Sequence, residues 1–302
     1  MADNGNARLK LGMLLPHAER RYGGETARWS DLLALAQLAE DAGFDSLWTI
    51  DHWTVDYPGQ EPQGVWECWS ILAALAATTS LVELGPLVTP TSFRNPALLA
   101  KMVTTMDVIS NGRMILGIGA GWKEEEWRAY GWGFPSLRAR QRHLEDSLEV
   151  ITRMLHEPGR ASWSGETALV EGAINEPKPV QSHLPILVGG NGRKVTWRIA
   201  ARLADELNVD NMSAEEWTSA RADLEQRCEE VRRDPATIRV SVHIWWETLD
   251  AAPSRPELLR AYADAGVDRV MTLVRAAAHD VDELDRFADD CRAAGLDLDA
   301  PS

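Results

Sequence analysis

Four short stretches of the chain hold residues whose types and spacing suit chemistry. The first is "LWTIDHW", Leu47–Trp53, an apolar run that ends in an acid, an imidazole and an indole. His52 can exchange a proton near neutral pH, and Asp51 can accept hydrogen bonds or orient a ligand. A structural role competes evenly with this one: Asp51 capping a turn and His52 satisfied by backbone. The second is "GPLVTPTSFRNP", Gly85–Pro96. Its glycine and prolines distort a strand, which suits a bulge where backbone meets a ligand, and the bland alternative is an edge kink. Thr89 and Thr91 offer hydroxyls to a ligand carbonyl or phosphate, while Arg94 reads as the partner of a nearby carboxylate. The third is "GIGAGW", Gly117–Trp122. Its Gly-x-Gly-x-Gly spacing departs from the dinucleotide fingerprint. It suits instead a close approach of backbone, at Gly119 and Ala120, to a flat ligand. The acids that follow, up to Glu126, read as a solvated helix start, where negative charge complements the dipole. The fourth is "VGGNGRK", Val188–Lys194. A glycine-rich turn feeding a helix N-terminus offers free N–H groups to an anion, and Arg193 and Lys194 add positive charge. Its alternative is a tight turn with solvated basic side chains.

What must position these stretches is a regular alternation. Strand-type runs are expected at Leu9–Leu15, Ser46–Ile50, Val82–Val88, Arg113–Ile118, Pro185–Val188, Glu206–Val209, Arg239–Trp246 and Arg269–Leu273. Helical patterns follow each of them. Trp29–Ala42 places Leu32, Leu35, Leu38, Ala39 and Ala42 at helical spacing and closes on Gly43. Asn95-Pro96 reads as an N-cap with proline at N1, opening a helix to Ile109. One long helical region is expected from Glu124 to Leu155. "EDAGFDSLWTI" (Glu40–Ile50) is echoed by "ADAGVDRVMTL" (Ala263–Leu273), a helix–Gly–strand unit used twice. Eight such units over 302 residues predict a single α/β domain, a TIM (β/α)8 barrel spanning 1–302. A doubly wound sheet is the alternative. Residues Glu157 to Leu184 break the rhythm and read as an irregular insertion between strands four and five, a lid or a small hairpin. In a barrel, the residues just after each strand gather on one face. All four stretches end strands.

Composition limits the partners. The net charge of −15 repels phosphate backbones and anionic bilayers, so nucleic acid and membrane surfaces are not expected. Cys68, Cys228 and Cys291 lie far apart and form neither a disulfide framework nor a thiolate metal site. The N-terminal "MADNGNARLK" has no apolar core of a signal peptide, and no long apolar run follows, so a cytoplasmic protein is the expectation. Most of the thirteen tryptophans read as core filling.

Taken together, "LWTIDHW", "LGPLVTPTSFRNPALLAKMVTTMDVISNGRMILGIGAGWKEEEWRAYG" and "ILVGGNGRKVTWRIAARLADELN" resemble the luciferase-like monooxygenase family, in particular its F420-dependent oxidoreductases. The resemblance runs from about Leu9 to Asn208 and loosely to Leu273. It implies a (β/α)8 barrel that holds coenzyme F420, or alternatively FMN, at its C-terminal face, with a small organic molecule as substrate. It implies that Asp51 lies by the cofactor ring, with His52 as the proton-transfer residue. The strand-three bulge falls on Pro86, Leu87 and Val88, where this family often has a non-proline cis peptide, and Thr89 matches a cofactor-contacting threonine. Gly119 and Ala120 approach the cofactor, and Gly189, Gly190, Asn191 and Gly192 match the phosphate loop. Family members are often homodimers, although the sequence has no interface signature of its own. Trp122 stands where the sugar-phosphate dehydrogenases of the group carry an acid. Trp53 and Trp122 suggest instead an apolar or aromatic substrate pocket. Three rivals remain: an FMN-dependent monooxygenase, a non-catalytic flavin-binding protein, and a metal-dependent hydrolase using His17, Asp51, His52 and His243. The histidines lack tight ligand spacing, so no metal is expected.

Overall fold

The structure is a computed structural model that describes residues 9–56 and 59–296. The first eight residues of the N-terminal stretch read above lie outside the described residues. Eight parallel strands form a barrel: Lys10–Leu14, Ser46–Thr49, a third strand in two pieces (Glu83–Pro86 and Thr89–Pro90), Leu116–Gly119, Ile186–Gly189, Glu206–Asp210, Arg239–His243 and Arg269–Thr272. Strand one lies between strands two and eight, and pairing runs in order from strand eight back to strand four. The third strand completes the ring with its two halves. Its first piece pairs with strand two, its second pairs with strand four, and a Leu84–Met114 bridge joins the gap. The expected bulge at Pro86–Val88 is therefore the break in this strand, and the Leu87–Val88 peptide is cis. Among the described residues no helix is long and apolar enough to cross a membrane.

Alternation along each strand explains what lies inside. Leu14, Trp48, Leu87, Ile115, Leu187, Met271 and Leu273 form a separate apolar cluster in the lumen. Their neighbours Met13, Leu47, Leu84, Leu116, Val188 and Val270 pack outward with the helices. The Trp48 indole is fully buried. It fits because Gly12 and Gly85 lack a Cβ, which would lie 2.6 Å from Trp48 Nε1 and 2.7 Å from Trp48 Cζ3 respectively. Truncating an indole in such a place costs about 3–5 kcal/mol.

Two expectations need correction. The long helix expected from Glu124 is two helices, Glu124–Ala129 and Leu137–His156, because Gly131 (φ 83°), Gly133 and Pro135 interrupt it. Strand seven ends at His243 rather than Trp246, since Trp246–Asp250 turns into a short helix. Of the two readings of segment 157–184, a lid or a small hairpin, the structure has the hairpin, Arg160–Ser164 antiparallel to Leu169–Ile174. Thr167 at the hairpin turn bonds Asp146 of the preceding helix, Asn175 bonds Thr104, and Lys178 holds the carbonyls of Met154 and Glu157. Gln181 reaches the Met114 carbonyl at the start of strand four. These anchors tie the segment to the outer helices and to the barrel's N-terminal end, so it forms no lid over the C-terminal face.

That N-terminal end is sealed. Arg269, 1% exposed, bonds Asp45, Glu83 and Glu206. Burial alone would lower its pKa, but the three carboxylates hold it well above the ordinary value. Glu83 is correspondingly held down, while the more deeply buried Asp45 is pushed up by desolvation despite the same partner.

Candidate functional site

At the opposite end, strand two runs into Ile50, Asp51 and His52, and neighbouring side chains diverge. Ile50 packs against the lumen cluster. Asp51 turns the other way, behind the barrel wall, and is 0% exposed. Its Oδ2 accepts from Thr89 Oγ1 (2.8 Å), Trp69 Nε1 (3.2 Å) and Arg94 Nη1. Arg94 also holds Glu67. Arg94 is thus the carboxylate partner expected from its sequence. Asp51, by contrast, has no open face toward the mouth and does not orient His52. Thr89, equally buried, donates to Asp51 and accepts from Trp69. The hydroxyl of Thr91 is buried and has no partner among the described residues.

The carboxylate that does orient His52 is Glu126, 74 residues away in sequence. Its Oε2 lies 3.0 Å from His52 Nδ1, and its Oε1 accepts from the backbone N–H groups of Trp53 (2.6 Å) and Thr54 (3.0 Å). Burial would raise the Glu126 pKa, but these three donors hold it below the usual carboxylate range. An ionised carboxylate only accepts, so the proton of the shared contact sits on Nδ1 of His52, and Nε2 has no partner among the described residues. Lys123 reinforces the same junction, bonding the Thr54 carbonyl (2.7 Å) and hydroxyl (2.9 Å) and pairing with Asp56 (2.6 Å). The solvated reading of these charges therefore fails at two positions: Lys123 and Glu126 are 4% and 2% exposed. Only the outer acids, Glu124 and Glu125, reach solvent.

The two indoles expected to wall a pocket part company. Trp122 is 71% exposed and stands edge-on to the His52 ring, with centroids 5.6 Å apart. Trp53 instead joins an aromatic cluster, 4.9 Å from Phe93, 4.4 Å from Tyr130 and 4.3 Å from Trp132. That cluster fixes the rim under the loop 130–134.

The glycines of strands four and five have a cause other than the one expected. A Cβ on Gly119 would lie 2.9 Å from Val88 Cγ2, and one on Gly189 3.0 Å from Val88 Cγ1. On Gly117 it would meet the Pro86 carbonyl oxygen at 1.9 Å. These glycines make room for the strand-three bulge, whose half-buried Val88 packs on the lumen cluster, whereas the half-buried Ala120 packs with the outer core. The loop after strand five is open. Gly190 has φ 135°, and the helix Thr196–Leu203 begins with no side-chain cap on its N-terminal amides. Lys194 is exposed beside it, while Arg193 pairs with Asp223. The Asn191 side chain is committed elsewhere: it bonds the backbone carbonyl and N–H of Asp210, at 2.8 Å each.

His17, the first histidine of the metal reading, is buried with Nδ1 2.9 Å from the Leu15 carbonyl and Nε2 3.0 Å from that of Ile50. Desolvation lowers its pKa, with both carbonyl contacts working against that shift. Among the described residues no group of three or more His, Cys, Asp or Glu side chains could hold a metal ion.

A strand-two imidazole, a broken third strand and an open glycine loop, gathered at one barrel mouth, agree with the comparison to known families. A model of the luciferase-like monooxygenases matches residues 9–297. The chain belongs to the luciferase-like monooxygenase family. One relative in that family, the F420-dependent glucose-6-phosphate dehydrogenase of Kineococcus radiotolerans, is 36% identical over 211 residues, which cover 68% of this chain and 57% of that protein. Another, the 5,10-methylenetetrahydromethanopterin reductase of Archaeoglobus fulgidus, is 32% identical over 66% of this chain and 54% of its own. The match thus spans somewhat over half the length of these relatives. Among solved structures, an F420-dependent secondary alcohol dehydrogenase bound to an F420–acetone adduct superposes with a TM-score of 0.79 at 18% identity, over 95% of this chain and 99% of that one. That likeness establishes the (β/α)8 fold of this family member.

Proposed function

We propose that the chain is an F420-dependent oxidoreductase acting on an apolar or aromatic organic molecule. The observation that carries the reading is the imidazole of His52 at the barrel mouth, fixed through Nδ1 by Glu126, with no partner for Nε2 among the described residues. Relatives that use F420 support the cofactor. The residues present suit it: Val88 on the lumen cluster and the half-buried Gly189 offer an apolar surface for a flat ring, and the Gly189–Gly192 loop, feeding a helix without a side-chain cap beside the exposed Lys194, suits a phosphate. When bound, the deazaflavin would accept or deliver a hydride; the protein supplies position and proton management. His52 takes the hydroxyl proton at Nε2 when an alcohol carbon is oxidised, and returns it in the reverse direction. Glu126 keeps the ring in the tautomer that makes this possible and stabilises the imidazolium once formed. Asp51 acts indirectly, holding Thr89 and Arg94 behind the bulge. Trp122 covers the His52 edge against solvent. Sugar-phosphate oxidation is not proposed, because Trp122 stands where the resemblance calls for an acid.

A similar fold in the monooxygenase RslO1 of Streptomyces bottropensis, with a TM-score of 0.71, supports the second reading, an FMN-dependent monooxygenase. Titrating the purified protein with F420 and with FMN separates them. F420 is expected to bind the more tightly; FMN binding with F420 rejected would overturn the first reading.

A further inference from the structure

His52 is not the only imidazole at the mouth. Strands six and seven pair Asp210 directly with His243. Alternation puts both in the lumen layer above Asn208 and Ser241, whose side chains bond each other in the barrel interior. His243 Nδ1 lies 2.9 Å from Asp210 Oδ1. The same oxygen accepts from Trp245 Nε1 at 2.9 Å. The backbone N–H and carbonyl of Asp210 are both held by Asn191. The acid is therefore fixed from strands five and seven as well as its own, and nothing in the Proposed function uses it. Because the carboxylate only accepts, Nδ1 of His243 carries the proton, and Nε2 has no partner among the described residues. Beside it stands the Trp245 indole, 44% exposed, and Trp246 packs on the lumen cluster with Leu273.

We propose that His243, oriented by Asp210, is a second ligand-contacting imidazole, and that it holds the hydroxyl of an aromatic substrate whose ring lies against Trp245. The inference rests on the mouth being a small-molecule site and is independent of which cofactor occupies it. A bare Nε2 accepts a hydrogen bond, so it selects a donor such as a hydroxyl. An anion is disfavoured beside Asp210 in a chain of net charge −15. A metal would need further ligands that the described residues do not gather there. An exposed indole next to the acceptor favours a flat ring through stacking. His52 and His243 lie three strands apart around the barrel, by way of strands one and eight. One can thus serve the reacting group while the other holds a distant part of the same molecule.

The test uses the full chain without cofactor, and two probes, 4-fluorophenol and fluorobenzene, followed by fluorine NMR together with nitrogen NMR of the imidazoles. His243 is expected in the Nδ1–H form. Adding 4-fluorophenol should move its Nε2 resonance, and His243→Phe should weaken that probe about fivefold, the worth of one hydrogen bond, while leaving fluorobenzene unchanged. The proposal is overturned if millimolar 4-fluorophenol leaves the Nε2 resonance unmoved in the wild-type protein, a result that does not depend on the variant folding. Equal binding of 4-fluorophenol to wild type and variant would overturn it as well. The F420 titration is a separate measurement, so failure of the cofactor reading leaves this outcome standing.

Discussion

The two ends of the barrel carry charge in opposite ways. At the N-terminal end one guanidinium is surrounded by three carboxylates and hidden from water. At the C-terminal end His52 and His243 each have one carboxylate on Nδ1, and Nε2 of each has no partner among the described residues. The first arrangement saturates its donors and can do nothing but hold the barrel together. The second fixes a ring while leaving one atom for a ligand. Saturation against a single open valence is what separates a structural network from a reactive one here, although both use the same residue types.

The largest effect should come from the sealed end. Arg269→Met removes the buried partner of Asp45 and leaves Glu83 and Glu206 with only Lys10 and Arg239, and breaking a buried pair from one side costs about 3–5 kcal/mol. Urea unfolding measures it, and an unchanged midpoint would mean the seal contributes nothing. At the open end the loss should appear in rate as well as stability. His52→Ala is expected to lower turnover about 10²-fold, near 2.7 kcal/mol of barrier, with F420 binding retained and unfolding shifted by about 1–3 kcal/mol, the cost of leaving Glu126 Oε2 without its donor. Normal turnover in that variant removes His52 from the mechanism; a stability loss as large as that of Arg269→Met would place it with Arg269 instead. Between the two ends lies the strand break. Gly117→Ala sets a methyl against the Pro86 carbonyl, and overpacking of that kind costs about 1–3 kcal/mol, whereas Gly133→Ala, with nothing within 4 Å, should be near neutral. Equal melting temperatures for the two variants would show that the bulge relaxes freely. The smallest effect concerns acid. Against burial, which alone would raise it, three hydrogen-bond donors hold the folded pKa of Glu126 below the ordinary value for a glutamate. Its contribution is therefore complete above that ordinary value and is lost as pH falls through the folded value. Glu126→Gln should flatten the stability profile in that acid window alone; a slope identical to wild type would show that the carboxylate carries no such linkage.

Much of this was legible in the sequence, and the limits have physical causes. The eight strands announce themselves because each is a short apolar run between turn signals, and the helix–Gly–strand echo at Glu40 and Ala263 marks the repeating unit. The Leu87–Val88 cis peptide followed from the family resemblance, not from the residues taken alone. What stayed hidden depends on side-chain direction across long separations. In "KEEEW" nothing in the spacing tells Glu126, which turns inward beside Trp127, from its solvated neighbours. Asp51 and His52 look like a pair because they are adjacent, yet adjacency at a strand end is what sends them to opposite faces. Asn191 reads as a ligand for phosphate, and only the return of strand six shows that its amide is already bonded to Asp210. In the segment 157–184 the glycines and prolines leave a lid and a small hairpin equally open, and only the packing of the hairpin on a helix rather than over the mouth decides between them.

The seal has one more consequence, in the order of assembly. Arg269 sits on the last strand, 224 residues from Asp45, 186 from Glu83 and 63 from Glu206. Contacts of such separation form late, since a long loop must close before they return any stability. Until strand eight docks between strands one and seven, Asp45 lacks its Arg269 partner, and Glu83 and Glu206 have only the partly exposed Lys10 and Arg239 beside them. The closing strand thus brings both the missing stave of the barrel and the one cation that joins all three carboxylates.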